Sequence, residues 1–127
     1  MFIWNSQMSN YEDITIKQGT DVAIEIELIN EDGSVKDLTS HSVSAYMKRR
    51  YADSASDPNT VQFNAVVTTP PEDGIVTLSL TNTQTDALTT RGRYVYDVEL
   101  SYTDSDENTI ISRILEGQIE VSPSVTK

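Results

Sequence analysis

The chain contains no cysteine, so neither a disulfide framework nor a thiolate ligand or nucleophile is available to it. Basic residues are scarce: nine Lys and Arg stand against twenty Asp and Glu, a formal net charge of −11. Phosphate backbones are bound through accumulated positive charge, so direct nucleic-acid binding is disfavoured. The acidity instead supports solubility, or lets an acidic face dock on a basic partner. Long apolar runs are also missing. Nothing approaches the roughly 20 apolar residues that cross a bilayer. The opening Met1-Phe2-Ile3-Trp4 lacks the basic flank and long apolar core of a signal peptide. The expectation is a soluble protein without membrane association or an export signal of its own. What is present is ordinary: 127 residues, 37% apolar and 23% charged, enough for one domain with a continuous core.

The dominant pattern is period-two alternation, which puts one row of side chains against a core and the next in water. Ile14 and Ile16 begin it, and Val22, Ile24, Ile26 and Leu28 give its cleanest run. Asn30-Glu31-Asp32-Gly33-Ser34 follows, and its Asp-Gly step suits a tight reversal. Val35 to Leu38 can form a short strand. Val43, Ala45 and Met47 then face inward opposite Ser44, Tyr46 and Lys48, and residues 51–60 are polar and aperiodic, as a loop is. Val61, Phe63, Ala65 and Val67 resume the alternation until Pro70-Pro71, where a ladder short of two amide donors stops. Asp73-Gly74 turns the chain into Val76, Leu78 and Leu80.

Thr83, answered by Asp86, predicts the capped start of one short helical turn. Gly92 then leads into Tyr94, Tyr96, Val98 and Leu100, where a tyrosine corner is expected. Asp104 to Asn108 makes the last hairpin turn, before a strand from about Thr109 to Val121 with Leu115, Ile119 and Val121 inward. Gly117 falls in an inward slot, which predicts a bulge or an aromatic ring packed over the backbone. The expected core includes Ile24, Ile26, Phe63, Leu78, Tyr96, Val98 and Ile119. Together these segments predict an all-β fold, an immunoglobulin-like antiparallel β-sandwich of about seven to nine strands with one short helical turn. A closed small barrel is the alternative. Residues 1–10 read as an amino-terminal arm, 11–121 as the sandwich and 122–127 as a tail.

No residue set carries catalysis. His41, the single histidine, lies in Leu38-Thr39-Ser40-His41-Ser42, and neighbours in one turn cannot supply a convergent triad. The acids fall in turns or on exposed strand faces, where nothing raises a carboxyl into the general-acid range. Asp104 to Asn108 imitates a calcium loop, but Thr109 stands where glycine is needed and Leu115 where the bidentate glutamate belongs. The acidic loop from Asp53 to Asp57 is no better provided. No catalytic, metal or cofactor site is therefore expected. The candidate partner-binding residues are Phe2, Ile3 and Trp4, an aromatic anchor on the arm, together with Lys48, Arg49 and Arg50, the one concentrated positive charge. A carbohydrate- or host-surface-binding module is a further reading, and it requires several exposed aromatics in one cleft.

Four stretches together resemble a family of small immunoglobulin-like proteins and domains of tailed bacteriophage virions, akin to the amino-terminal domain of phage baseplate upper proteins. They are Ile14-Thr15-Ile16-Lys17-Gln18-Gly19; Asn30-Glu31-Asp32-Gly33-Ser34 with Asp37-Leu38-Thr39; Gly92-Arg93-Tyr94-Val95-Tyr96-Asp97-Val98-Glu99-Leu100; and Leu115-Glu116-Gly117. His41 departs from the small turn residue common there. The resemblance implies a non-enzymatic virion structural protein, an accessory or adaptor of the tail, baseplate or fibre attachment, with a capsid decoration protein as the alternative. It implies assembly in the host cytoplasm, other virion structural proteins as partners, homo-oligomers among them, and no cofactor.

Overall fold

The computed structural model describes residues 2–5 and 10–125, with side chains from residue 11 onward. Among these residues ten strands form, eight of them longer than two residues. They are β1 (Phe2–Asn5), β2 (Asn10–Tyr11), β3 (Ile14–Lys17), β4 (Val22–Ile29), β5 (Ser42–Lys48), β6 (Val61–Gln62), β7 (Asn64–Val67), β8 (Ile75–Leu80), β9 (Arg93–Thr103) and β10 (Thr109–Ser122). A 3-10 turn at Pro71–Asp73 precedes β8, and one short helix, α1 (Asn82–Asp86), joins β8 to β9. One sheet has the order β1-β4-β8-β7; the other runs β2-β10-β9-β5-β6, with β3 also on β10. The result is the immunoglobulin-like sandwich that the alternation predicts.

Its pairing is not wholly antiparallel. β1 runs parallel to β4, and β2 and β3 run parallel to β10, placing Leu115 opposite Asn10 and Ile119 opposite Ile14. Residues 2–5, read from sequence as an arm outside the sheets, thus have a backbone in ladder with Ile26 to Ile29.

The core lies between the inner rows. Ile26, Leu28, Val76 and Leu78 from one sheet meet Met47, Tyr96, Val98, Leu115 and Ile119 from the other. Ile24 is only partly buried, because it stands nearer the open end of β4 than Ile26 does. Phe63 sits where the chain leaves one sheet for the other: β6 pairs with β5 and β7 with β8. Its ring is buried and its amide donates to the Ala45 carbonyl at 3.0 Å.

The turns explain the remaining departures. After β4, Asn30 and Ser34 close the Asp-Gly turn, but Val35 makes only an isolated bridge to Ile29 and no strand follows. Leu38 is buried as a single anchor instead, its amide donating to Pro71 O at 2.9 Å. The helix cap is Thr81, not Thr83. Its hydroxyl accepts from the Gln84 amide at 3.2 Å while Gln84 Oε1 accepts from the Thr81 amide at 2.8 Å. β8 ends at Leu80, so the first residue outside the ladder takes the cap. In the turn Leu38 to His41 the left-handed residue is Ser40, at φ 63°, leaving His41 in ordinary backbone.

Gly117 is where the first strands meet the last. Register between β9 and β10 slips between Arg113 and Leu115, burying Ile114 as the extra residue, so the bulge precedes Gly117. At Gly117 itself a Cβ would collide with the backbone of Glu12, which crosses there between β2 and β3. The Tyr96 hydroxyl, opposite Gly117 in the ladder, donates to the Glu12 carbonyl at 2.6 Å. Burial, then Glu12, Asp13 and Tyr11, push that phenol far above its usual pKa, which keeps it a donor. Tyr94 makes the corner, its hydroxyl accepting from the Thr89 amide at 3.0 Å.

Candidate functional site

The wet face of the six-stranded sheet carries the most chemistry. Alternation on β5, β9 and β10 sends Tyr46, Lys48, Val95, Asp97, Glu99 and Glu116 outward. Register then aligns them: Tyr11, Glu116, Asp97, Tyr46 and Gln62 form one row across five strands, and Lys48, Val95 and Gln118 form the next. The chain leaving β5 folds back over these rows and holds Tyr51 above them, 76% exposed. Between them lies a cleft of about 300 Å³ lined by Tyr46, Lys48, Tyr51, Val95, Asp97 and Arg113.

Its charges are largely compensated within the face. Arg113 lies 3.4 Å from Asp97 and 3.7 Å from Glu116, and Lys48 Nζ sits 5.9 Å from the centre of the Tyr46 ring. Both ion pairs are substantially exposed, so they orient the side chains and contribute little stability. The Tyr11 phenol has a raised pKa, first from desolvation, then from the carboxylate of Asp13 and from Tyr51, with Arg93 opposing.

The sequence candidates do not assemble. Phe2, Ile3 and Trp4 lie on β1 of the other sheet, and their side chains fall outside the described residues. Lys48 is on the cleft. Arg49 turns away, its Nη2 donating to Arg91 O at 2.7 Å and its guanidinium lying 4.9 Å from the centre of the Tyr94 ring. Arg50 is exposed, and its amide donates to Asp53 at 3.1 Å. The three cations thus point to three environments. His41 leans on Tyr102 at 4.8 Å, with Nδ1 donating to the Thr39 carbonyl at 2.9 Å. Asp104 accepts from the amides of Asp106 and Asn108, each at 2.9 Å, so its carboxylate serves its own turn.

Sequence reasoning did not single out Tyr11, Tyr46 or Tyr51 as a group. Tyr46 stood in the outward set, but the return of residue 51 over the sheet has no periodic signature. Elsewhere the β9–β10 hairpin outruns β5, whose ladder with β9 ends at Ser42 and Ser101. Past that point Tyr102 and Ile110 pair on one side, and Ile111, opposite Ser101 in the last row that β5 reaches, is 61% exposed on the other.

No family model matches the chain, and no curated protein does. Among solved structures, the N-terminal domain of phage TP901-1 ORF48 superposes with a TM-score of 0.57 at 9% identity, over 94% of each chain. Murine CRIg superposes with a TM-score of 0.51 at 16% identity, over 87% of this chain and 92% of that one. At such identities the likeness is one of fold: an immunoglobulin-like sandwich matched over nearly its whole length.

Proposed function

We infer that this chain is a non-enzymatic structural module of a phage virion, an accessory or adaptor part of the tail, baseplate or fibre attachment that works through protein contacts. The observation that carries the reading is the end-to-end superposition on a phage domain, with 94% of both chains matched and neither left with a large unmatched element. Two surfaces suit assembly. β1 is the outermost strand of its sheet among the described residues, so its far side offers backbone groups to a neighbour's strand. The overhanging hairpin offers Ile111 and Tyr102 beside an acidic turn, which fits an apolar slot with a basic rim. Other virion proteins, or a second copy, would occupy them.

Mass spectrometry of purified particles, with copy number, tests the reading. A few copies per particle, lost together with the tail, are expected. Hundreds of copies that stay with the head would move the protein to capsid decoration, and absence from particles would overturn the structural role. Removing residues 1–10 should lower incorporation.

A further inference from the structure

We propose that the tyrosine-bearing cleft on the six-stranded sheet binds a neutral saccharide, so that the module also recognises a glycan. This goes beyond the structural role and stands on separate observations. The floor of the cleft mixes acceptors and donors at close range: Asp97 and Glu116 beside Arg113, with Lys48 one row away. Sugar hydroxyls donate and accept at once, and such a mixed floor satisfies both. Tyr51 and Tyr46 line the cleft, and Tyr11 lies beyond Glu116 at the end of the same row; Tyr51 and Tyr11 are both more than half exposed. Phenol rings supply flat apolar faces for the C–H side of a pyranose and hydroxyls at the rim. Tyr11 and Tyr46 are three strand spacings apart, roughly 14 Å, the length of a short oligosaccharide.

Charge discriminates among ligands. Asp97, Glu99 and Glu116 outnumber Lys48 and Arg113 along the cleft, and Arg113 is engaged by two of the three acids. A phosphate or sulfate group would meet an excess of one negative charge there, with Arg113 already engaged. The cleft volume of about 300 Å³ is at the small end for ligand sites and open on one side, which suits weak, millimolar recognition that gains strength from repetition.

The test is an NMR titration of the ¹⁵N-labelled protein with chitotriose, cellotriose and maltotriose, with glycerol 3-phosphate as the anionic probe. At least one trisaccharide should give saturable shifts at residues 46, 48, 51, 95, 97 and 116, with a Kd of roughly 0.1–10 mM. Tyr51→Ala, a change at an exposed loop residue whose fold the same spectrum checks, should weaken binding about tenfold or more, while Tyr102→Ala on the distant hairpin leaves it unchanged. No shifts on this face with any trisaccharide at roughly 10 mM would overturn the proposal, as would shifts with glycerol 3-phosphate alone or an unaffected Tyr51→Ala. Particles carrying Tyr51→Ala should still contain the protein, so loss of glycan binding and loss of the structural role are read separately.

Discussion

The outer faces of the two sheets obey the same alternation and carry different chemistry. On the four-stranded sheet Glu25 and Glu27 stand outward on β4, but the outward polar residues of β7, β8 and the turn between them are short and spend hydrogen bonds on one another: Thr68 meets Thr77 at 2.6 Å, and Asn64 meets Ser79 at 3.3 Å. On the six-stranded sheet many of those around the cleft are long or aromatic, with ion pairs at 3.3–3.7 Å, and Tyr51 of the following loop overhangs them. Period two decides which side of a strand is wet. Side-chain length, and what folds back over the sheet, decide whether the wet side is sealed by its own contacts or open to a third molecule.

That contrast can be broken most strongly inside the four-stranded sheet. Ile26 is fully buried and Glu25 points out, so Ile26→Ala should lose about 2–5 kcal/mol in urea unfolding and Glu25→Ala no more than about 0.5 kcal/mol. Similar losses would mean that the sheet has no inner and outer side as described. The six-stranded sheet depends on a different device, the passage of Glu12 over Gly117. Gly117→Ala should cost about 1–3 kcal/mol and displace the Tyr96 hydroxyl from Glu12, visible as a shifted Tyr96 ring resonance. An alanine without cost would show that β2 and β3 can lift off β10 freely.

The link between the sheets gives a smaller effect. Thr81→Ala removes the capping box of α1 and should lower stability by about 1 kcal/mol, whereas Thr83→Ala should stay within about 0.5 kcal/mol. The smallest effect belongs to the turns. Asp32 and Asp37 titrate below the ordinary 3.8, chiefly because Ser34 and Thr39 donate side-chain hydrogen bonds to them, with backbone amides adding to it. A lowered folded pKa means that the unfolded chain takes the proton more readily. The stability so gained is complete above the ordinary value and is lost as pH falls through the lowered ones. The paired change Asp32→Asn and Asp37→Asn should therefore flatten the fall of Tm below about pH 4.

Much of this fold is legible in the chain because alternation and turn chemistry agree. Val76, Leu78 and Leu80, Tyr94 to Leu100, and the Asp-Gly turn all stand where the pattern puts them. Several exceptions depend on a partner elsewhere in the fold, whereas the shift of the cap from Thr83 to Thr81 and the bulge at Ile114 are local. β1 is four residues long and pairs with residues 26–29, so it has no turn to announce it. Leu38 looks like part of a strand because it is apolar, yet it is buried alone against the Pro71 turn. Ile114 breaks the alternation of β10 because a bulge there takes up one residue. The tyrosines of the cleft are ordinary outward or loop residues until the sheet order brings β2, β10, β9 and β5 side by side.

The parallel ladder of Ile14–Lys17 on Ile119–Ser122 also has a mechanical consequence. Tension drawn backward through residue 14 and forward through residue 122 pulls these two strands along their own axes in opposite senses. The ladder is then loaded in shear, its hydrogen bonds sharing the force, whereas a hairpin pulled from its open end gives way one bond at a time. Forced opening is governed by the unfolding rate, so a domain strung between two neighbours through these strands resists extension far more than its equilibrium stability alone would indicate.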